Sequence, residues 1–271
     1  MDVFAEQDKK VEQAFFEKIE RGEKISDPSE LPLRCHELLA RTILMNFFAE
    51  WWGGINYFRC LSVAPNDTER DYMEVIAREE LGHAHILAKG SLAVLLGGDP
   101  YRLLASTVKK QINMLRVFQY PEVLCRSWGD VLIFNRLQDA SADMQLDEFS
   151  ESWFEPYCND IAMIEAEEVG HVQHAERAIR EYYYQSSPPT LLNLDYWLQN
   201  HKKMRLQLQT ALDFWLPLVL EVFGKPNGKN EQLYLKYKLK HRTNEESRQL
   251  FISRISPFFK KIGLTHPLLN Q

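Results

Sequence analysis

The sequence predicts an all-α protein: a four-helix bundle with additional N- and C-terminal helices. Three observations lead there. Apolar residues recur at three- and four-residue spacing over long segments, the pattern of amphipathic helices. The 12 glycines and 12 prolines cluster at a few points rather than punctuating the chain every ten residues. Alternating runs of Val, Ile and Thr, which would mark strands, are scarce.

The elements follow in order. A first core helix is predicted from about Leu33 to Leu61, with Leu38, Leu39, Thr42, Ile43, Asn46, Phe47 and Glu50 along one broad stripe. Ala64–Asp67 ends it, and Asn66, Asp67 or Thr68 can cap the next helix. That helix is expected from about Glu69 to Leu96, stopping at Gly97–Pro100. A third spans roughly Glu122 to Met144 after the break at Tyr120–Pro121, and a fourth runs from Pro156, a good first-turn residue, to about Tyr184. Gln185–Pro189 is a stop. Two or three further helices lie near Leu194–Phe223 and Glu231–Ile262, with Pro217 expected to kink or interrupt the former. Gly224–Asn230 reads as a surface loop. No linker or low-complexity tract divides the chain, so residues 1–271 are expected to form one domain, with the bundle at about 33–185 and a C-terminal helical extension at about 190–271.

Composition excludes several classes. At 45% hydrophobic and 26% charged residues the chain can build a large core, which rules out disorder for its bulk. A formal charge of −6 argues against a dedicated nucleic-acid binder. The most apolar stretch, Phe214–Phe223, is far short of the ~18 residues of a membrane helix and contains Pro217 and Glu221. The opening residues lack the basic start and apolar run of a signal peptide. Cys35, Cys60, Cys125 and Cys158 are widely separated, with no C-x-x-C pair, so neither a disulfide framework nor a zinc or iron–sulfur site is expected. A reduced, cytoplasmic protein is the resulting expectation.

Chemistry is concentrated in an internal repeat. Glu79-Glu80-Leu81-Gly82-His83 recurs as Glu167-Glu168-Val169-Gly170-His171, and both copies lie on strongly helical sequence. Each contains Glu-x-x-His, which puts a carboxylate and an imidazole one turn apart on one helix face. A single copy is common by chance and reads as a solvated pair; two copies with the same neighbours do not. In four-helix bundles, two such motifs plus one carboxylate from each remaining helix form a dinuclear iron or manganese site. The first and third helices must then each supply an inward acid.

Hairpin geometry picks the candidates. Ligands at one height on two antiparallel helices should have their turn halfway between them. Glu50 and Glu80 have their midpoint at Pro65, inside the predicted turn; Asp139 and Glu168 have theirs at Trp153-Phe154, just before Glu155-Pro156. Each leg is then roughly 20 Å long at ~1.5 Å per residue. Glu50 lies among Phe47, Phe48, Trp51 and Trp52, and Asp139 among Phe134, Leu137 and Ala140, settings in which a carboxylate is costly unless paired or metal-bound. Asp143 and Asp130 are rivals to Asp139: Asp143 is one turn further on, while Asp130 misses the midpoint.

The expected catalytic and metal-ligating set is therefore Glu50, Glu80, His83, Asp139, Glu168 and His171. Four carboxylates balance two divalent ions, and such neutrality makes a buried cluster tolerable. Mixed oxygen and nitrogen donors suit iron or manganese better than zinc or copper; the cofactor expected is two iron ions, or manganese in place of one or both. Around them, Glu79 and Glu167 are exposed or supporting, each able to reach its own histidine at i,i+4. Glu165 and His174 support the site or form an ordinary polar interior. Gly82 and Gly170 are tolerated helix glycines, or else permit close packing or substrate space. Phe47, Phe48, Trp51, Trp52 and Tyr57 read as core rather than an electron path. Lys236–Arg242 reads as a solvated basic helix face in preference to a phosphate site.

The order Glu, Glu-x-x-His, Asp, Glu-x-x-His, with its Glu-Glu-Leu/Val-Gly-His wording, resembles the phenylacetate-catabolism family of ferritin-like di-iron proteins over roughly residues 35–260. That family includes the catalytic and the structural subunits of phenylacetyl-CoA epoxidase. The resemblance implies a ferritin-like bundle and a di-iron monooxygenase that uses O₂ as co-substrate to oxygenate a small organic molecule, an aromatic acyl-CoA being the first candidate. All six ligand positions are kept, which favours a catalytic over a structural subunit. No Gly-x-Gly-x-x-Gly fingerprint or cysteine cluster is present, so electrons would come from a separate reductase. A homo-oligomer or a complex with a homologous subunit is expected. The alternatives are a di-iron oxidase or hydroxylase of another biosynthetic or tRNA-modifying pathway, a ferritin-like ferroxidase or peroxide scavenger, and a non-catalytic partner subunit.

Overall fold

The computed structural model describes residues 3–97, 115–184 and 194–270. All of the expected core helices are present, and no strand occurs among the described residues; one isolated parallel bridge joins Ile25 to Phe154. The architecture is an all-α bundle. Helix α1 (Val3–Glu20) precedes it, and α2 (Leu33–Cys60) packs lengthwise along α3 (Asp67–Lys89). A short α4 (Ser91–Leu96) follows. After α5 (Pro121–Leu124), α6 (Trp128–Ser150) packs along α7 (Glu155–Tyr184), and α8 (Leu194–Val219) lies against α6. Helices α9 (Glu231–Lys236) and α10 (Asn244–Lys261) complete the chain. Among the described residues no helix is long and apolar enough to cross a membrane.

Both hairpin turns fall where the midpoint argument puts them. Asn66 ends the first by accepting the Glu69 N–H at 2.9 Å, an N-cap. At the second, the backbone around Ile25 is clamped to the turn: the Ile25 N–H donates to Trp153 O at 2.8 Å and the Glu155 N–H donates to Ile25 O at 3.0 Å. Phe15 and Ile19 of α1 are buried beside this clamp, in one core cluster with Trp153 and Tyr157.

Two expected helices turn out to be broken. The second stops at Gly90, where the chain turns and the Asp160 carboxylate of α7 accepts the Ser91 N–H at 2.7 Å. A Cβ at Gly90 would lie 2.0 Å from Asp160 Oδ1, so only glycine leaves room for that carboxylate. The third splits at Cys125–Ser127: Ser127 caps α6 by accepting the Asp130 N–H and donates its hydroxyl to Asp130 Oδ2 at 2.6 Å. Helix α6 then continues six residues past the expected end at Met144, to Ser150. The C-terminal region has three helices, within the two or three expected, and a Thr243–Glu246 capping box starts α10. Pro217 lies inside α8 without ending it, although the chain tightens into a 3₁₀ turn at Leu220–Phe223. The expected stop at Gln185–Pro189 lies outside the described residues, as do Gly98–Pro100.

Lys236–Arg242 is not a solvated helix face. Past Lys236 the chain leaves the helix, with Lys238 in the left-handed region at φ 52°. The buried Glu148 carboxylate of α6 accepts the N–H groups of His241 (2.6 Å) and Arg242 (3.1 Å), and Lys240 donates to Asn244 Oδ1 at 3.1 Å. Burial pushes the Lys240 ammonium below its usual value. The segment is a structural corner.

Apolar packing forms two clusters. One contains Phe48, Trp52, Tyr57, Ile76, Phe134 and Trp215; the other contains Phe47, Leu87, Leu146, Phe149, Trp153 and Tyr157. Along α2, α3 and α7 the chain passes from one cluster to the other, and the acidic and histidine positions lie at that crossing.

Candidate metal centre

Each of the four long bundle helices contributes acids to one buried place. Glu50 (α2), Glu80 and His83 (α3), Asp139 (α6), Glu168 and His171 (α7) are all less than a tenth exposed. Ligand atoms of Glu80, Asp139, Glu168 and His171 lie within 4.8 Å of one another, as do those of Glu50, His83 and Glu168. Glu168 belongs to both groups, so its two oxygens can serve two neighbouring ions. The structure brings all six expected residues together.

The rivals lie elsewhere. Asp130 is bound by Arg126 at 2.7 and 3.0 Å and by Ser127, at the start of α6. Asp143 is partly exposed and faces Arg254 at 3.4 Å.

The two imidazoles are oriented alike. His83 Nδ1 is 3.3 Å from Glu50 Oε2 and 3.3 Å from Glu168 Oε1; His171 Nδ1 is 3.5 Å from Glu80 Oε1 and 3.7 Å from Glu168 Oε2. Both Nδ1 atoms therefore face the carboxylates. Each Nε2 points outward to a carboxylate of the opposite helix: His83 to Glu167 at 2.9 Å, His171 to Glu79 at 2.8 Å. The i,i+4 pairing expected from sequence is thus replaced by a crossed one. Each Glu-Glu-x-Gly-His copy holds the histidine of the other, which ties α3 to α7. An Nε2–H donated to a carboxylate fixes the tautomer that leaves Nδ1 as the inward donor, the usual support for a metal-bound histidine.

His174 has its own partner, one turn beyond His171. Its Nε2 meets Glu69 Oε2 at 2.9 Å, and its ring stacks on Tyr72 with centroids 3.6 Å apart. It is a buried polar prop rather than part of the cluster.

Protonation in this cluster is far from ordinary. Burial pushes the Glu50 and Asp139 carboxyls upward, and takes Glu80 up to about 8. Burial acts on Glu168 in the same sense, but the His171 and His83 imidazoles beside it outweigh burial and bring that carboxyl down to about 2. For His83 burial disfavours the charged ring, yet Glu168 and Glu50 outweigh it and raise the imidazolium to about 11; Glu168 and Glu80 raise His171 by the same means. The physical reading is that protons hold the carboxylates together where cations would otherwise do so. Asp139 Oδ2 and His171 Nδ1 are buried without a hydrogen-bond partner, a costly state that a bound cation would relieve. The donor set, its shared Glu168 and these unpaired atoms fit two iron-type ions.

Two glycines to which the sequence pattern assigns no role make the cluster possible. A Cβ at Gly53 would lie 2.8 Å from Glu80 Oε2, and one at Gly54 would lie 2.6 Å from Leu81 Cγ and 2.9 Å from Ala77 O. They allow α2 to approach α3 at the site, the close packing expected instead at Gly82 and Gly170. Those two are exposed, and a Cβ at either would meet nothing within 4 Å. The signal was the Trp51-Trp52-Gly53-Gly54 run, a glycine pair in mid-helix beside Glu50.

A cavity of about 20 Å³, room for about one water, adjoins the carboxylates. Trp52, Tyr57, Phe118 and Phe134 form its apolar wall, with Gln138 beside Asp139. An aromatic wall on one side and acids on the other is how a site keeps bulk water from a reactive centre.

The fold and the site together define an all-helical bundle protein with a buried carboxylate–histidine cluster that could hold a metal ion. The chain belongs to the Phenylacetic acid catabolic protein family, which it matches over residues 25–271. It is also similar to one of the subunits of the 1,2-phenylacetyl-CoA epoxidase of Escherichia coli (strain K12), with 23% identity over 259 residues, covering 94% of this chain and 77% of that protein.

Proposed function

We propose that this chain is the oxygen-activating component of a multi-subunit, di-iron monooxygenase acting on an aromatic acyl-CoA. The observation that carries the reading is the six-residue cluster with its two cross-strapped histidines. Family membership and the name of the Escherichia coli relative, an epoxidase subunit, support the substrate class and the need for other subunits.

Glu50, His83 and Glu168 would hold one ion, and Glu80, Asp139, His171 and Glu168 the other. Iron held by these residues would supply the reduction and splitting of dioxygen, with one oxygen atom going to substrate and one to water. The chain's own residues do the rest. Glu79 and Glu167 keep each imidazole's Nε2 proton outward, so Nδ1 stays available. Trp52, Tyr57, Phe118 and Phe134 wall the carboxylates off from bulk water. Gln138 adds an amide whose Oε1 has no hydrogen-bond partner and so can accept a proton donor of the substrate. Electrons would arrive from a separate reductase, since the sequence has no dinucleotide fingerprint.

The test is to load the purified chain anaerobically with Fe(II), measure iron per chain, and record the optical spectrum on admitting oxygen. Two irons per chain and a new near-ultraviolet absorption, followed by reductase-dependent oxygenation of phenylacetyl-CoA, are expected. Intact helices with no bound iron would overturn the assignment and point to a structural partner protein.

A further inference from the structure

The four cysteines are far apart in sequence, but the fold brings two of them together. Cys60, the last residue of α2, and Cys125, the residue that ends α5, have their sulfurs 3.1 Å apart, with both thiols free. Cys60 is fully buried and Cys125 half-buried, so one sulfur is shielded and the other can be approached from solvent. About 1 Å of closure separates this contact from a disulfide bond of ~2.05 Å. Nothing in the metal cluster uses either thiol.

We propose that Cys60 and Cys125 form a peroxide-reactive dithiol, a modification site that closes to a disulfide between the end of α2 and the α5–α6 junction. The chemistry balances in two steps. The Cys125 thiolate attacks hydrogen peroxide, breaking its O–O bond to give a Cys125 sulfenic acid and hydroxide, which takes up the proton Cys125 has lost and leaves as water. The Cys60 sulfur then attacks the Cys125 sulfur; the S–S bond forms, the S–O bond breaks, and the second water leaves with the Cys60 proton. Two thiols have lost two electrons and two protons, and one peroxide has become two waters.

The surroundings assign the two roles. The hydrogen bond from Cys60 brings the Cys125 thiol down to about 7, with the Arg59 charge adding to it, so Cys125 is the nucleophile. The same contact, together with burial, pushes Cys60 upward and keeps it protonated until it is needed. Neither of the other two cysteines faces a second thiol, although the Lys24 ammonium lies 3.5 Å from the Cys158 sulfur. Cys35 is buried and pushed upward by burial, and the Cys158 thiol donates to Ser152 O at 2.8 Å.

The test uses the full chain, reduced and then freed of reductant, exposed to hydrogen peroxide both without metal and after iron loading. Alkylation of remaining thiols and peptide mapping without reduction follow. The expected result is joint loss of the Cys60 and Cys125 thiols, a linked peptide pair lighter by two hydrogens, and full recovery with dithiothreitol. Cys35 and Cys158 should stay alkylatable under the same exposure. Cys60→Ser and Cys125→Ser should each abolish the linked pair. Both thiols remaining free, or oxygen adducts on Cys125 with Cys60 untouched, would overturn the proposal. Because Glu80→Ala removes a proposed metal ligand and neither thiol, it should still form the bond, so failure of the metal assignment and failure of this one give different results.

Discussion

Each imidazole of the cluster performs two tasks with its two nitrogens, and the outer one is as informative as the inner. Glu79 and Glu167 are a third to a half exposed, yet each reaches a buried histidine of the opposite helix. Replacing either by Ala should weaken iron binding by about 10–100-fold while leaving helix content unchanged, read by competition with a chelator. Glu80→Ala or His171→Ala should go further and lose stoichiometric iron. Asp139→Ala should lower iron from two per chain, and Asp143→Ala, whose carboxylate faces Arg254, should not. At Gly53 an added methyl would displace the Glu80 carboxylate. Gly53→Ala should therefore lower iron occupancy in a chain that still folds, whereas Gly82→Ala, at an open position, should leave occupancy unchanged and slightly raise helix stability, by about 1 kcal/mol at most.

Between residues and the whole fold stand the helix pairs. The α2–α3 and α6–α7 hairpins have nearly equal legs, so two acids on each pair come to one height without any long-range information. Breaks within helices are a different matter. The turn at Gly90 depends on Asp160, which arrives from α7 to accept the Ser91 N–H in a buried place. Asp160→Ala should leave that N–H unsatisfied and cost about 1–3 kcal/mol in urea unfolding. Gly90→Ala should be no better tolerated, because its methyl would occupy the carboxylate's position. A similar logic holds the last corner, where Glu148 accepts two consecutive backbone N–H groups.

For the molecule as a whole, the cluster links stability to pH and metal. In the metal-free chain Glu80 keeps its proton to about 8 against an ordinary 4.5, and His83 keeps its proton to about 11 against 6.5. Between about pH 6.5 and 8 the folded chain thus holds protons that the unfolded chain has released, so stability must fall as pH rises. Glu168 works the other way: its contribution is present above 4.5 and is lost as pH falls toward about 2. The metal-free Tm should therefore decline through the neutral range. With iron in place of those protons the decline should vanish or reverse, because metal binding competes with protonation. Calorimetry on both forms across that range checks the sign; a metal-free Tm that rises with pH would contradict the protonation pattern.

What the sequence by itself determined was local. Apolar spacing placed the helices, the Glu-x-x-His repeat and the hairpin midpoints picked out the six cluster residues, and the family followed from their order. All of this is legible because helical period and turn position depend on near neighbours in the chain. The tertiary structure decided what depends on which surfaces meet. The crossed bonds of Glu79 and Glu167, the glycines at 53 and 54, the break at Gly90 and the Cys60–Cys125 contact each join residues of different helices. No spacing along one helix can specify a partner on another, since a face that is apolar or acidic fits several neighbours until packing selects one.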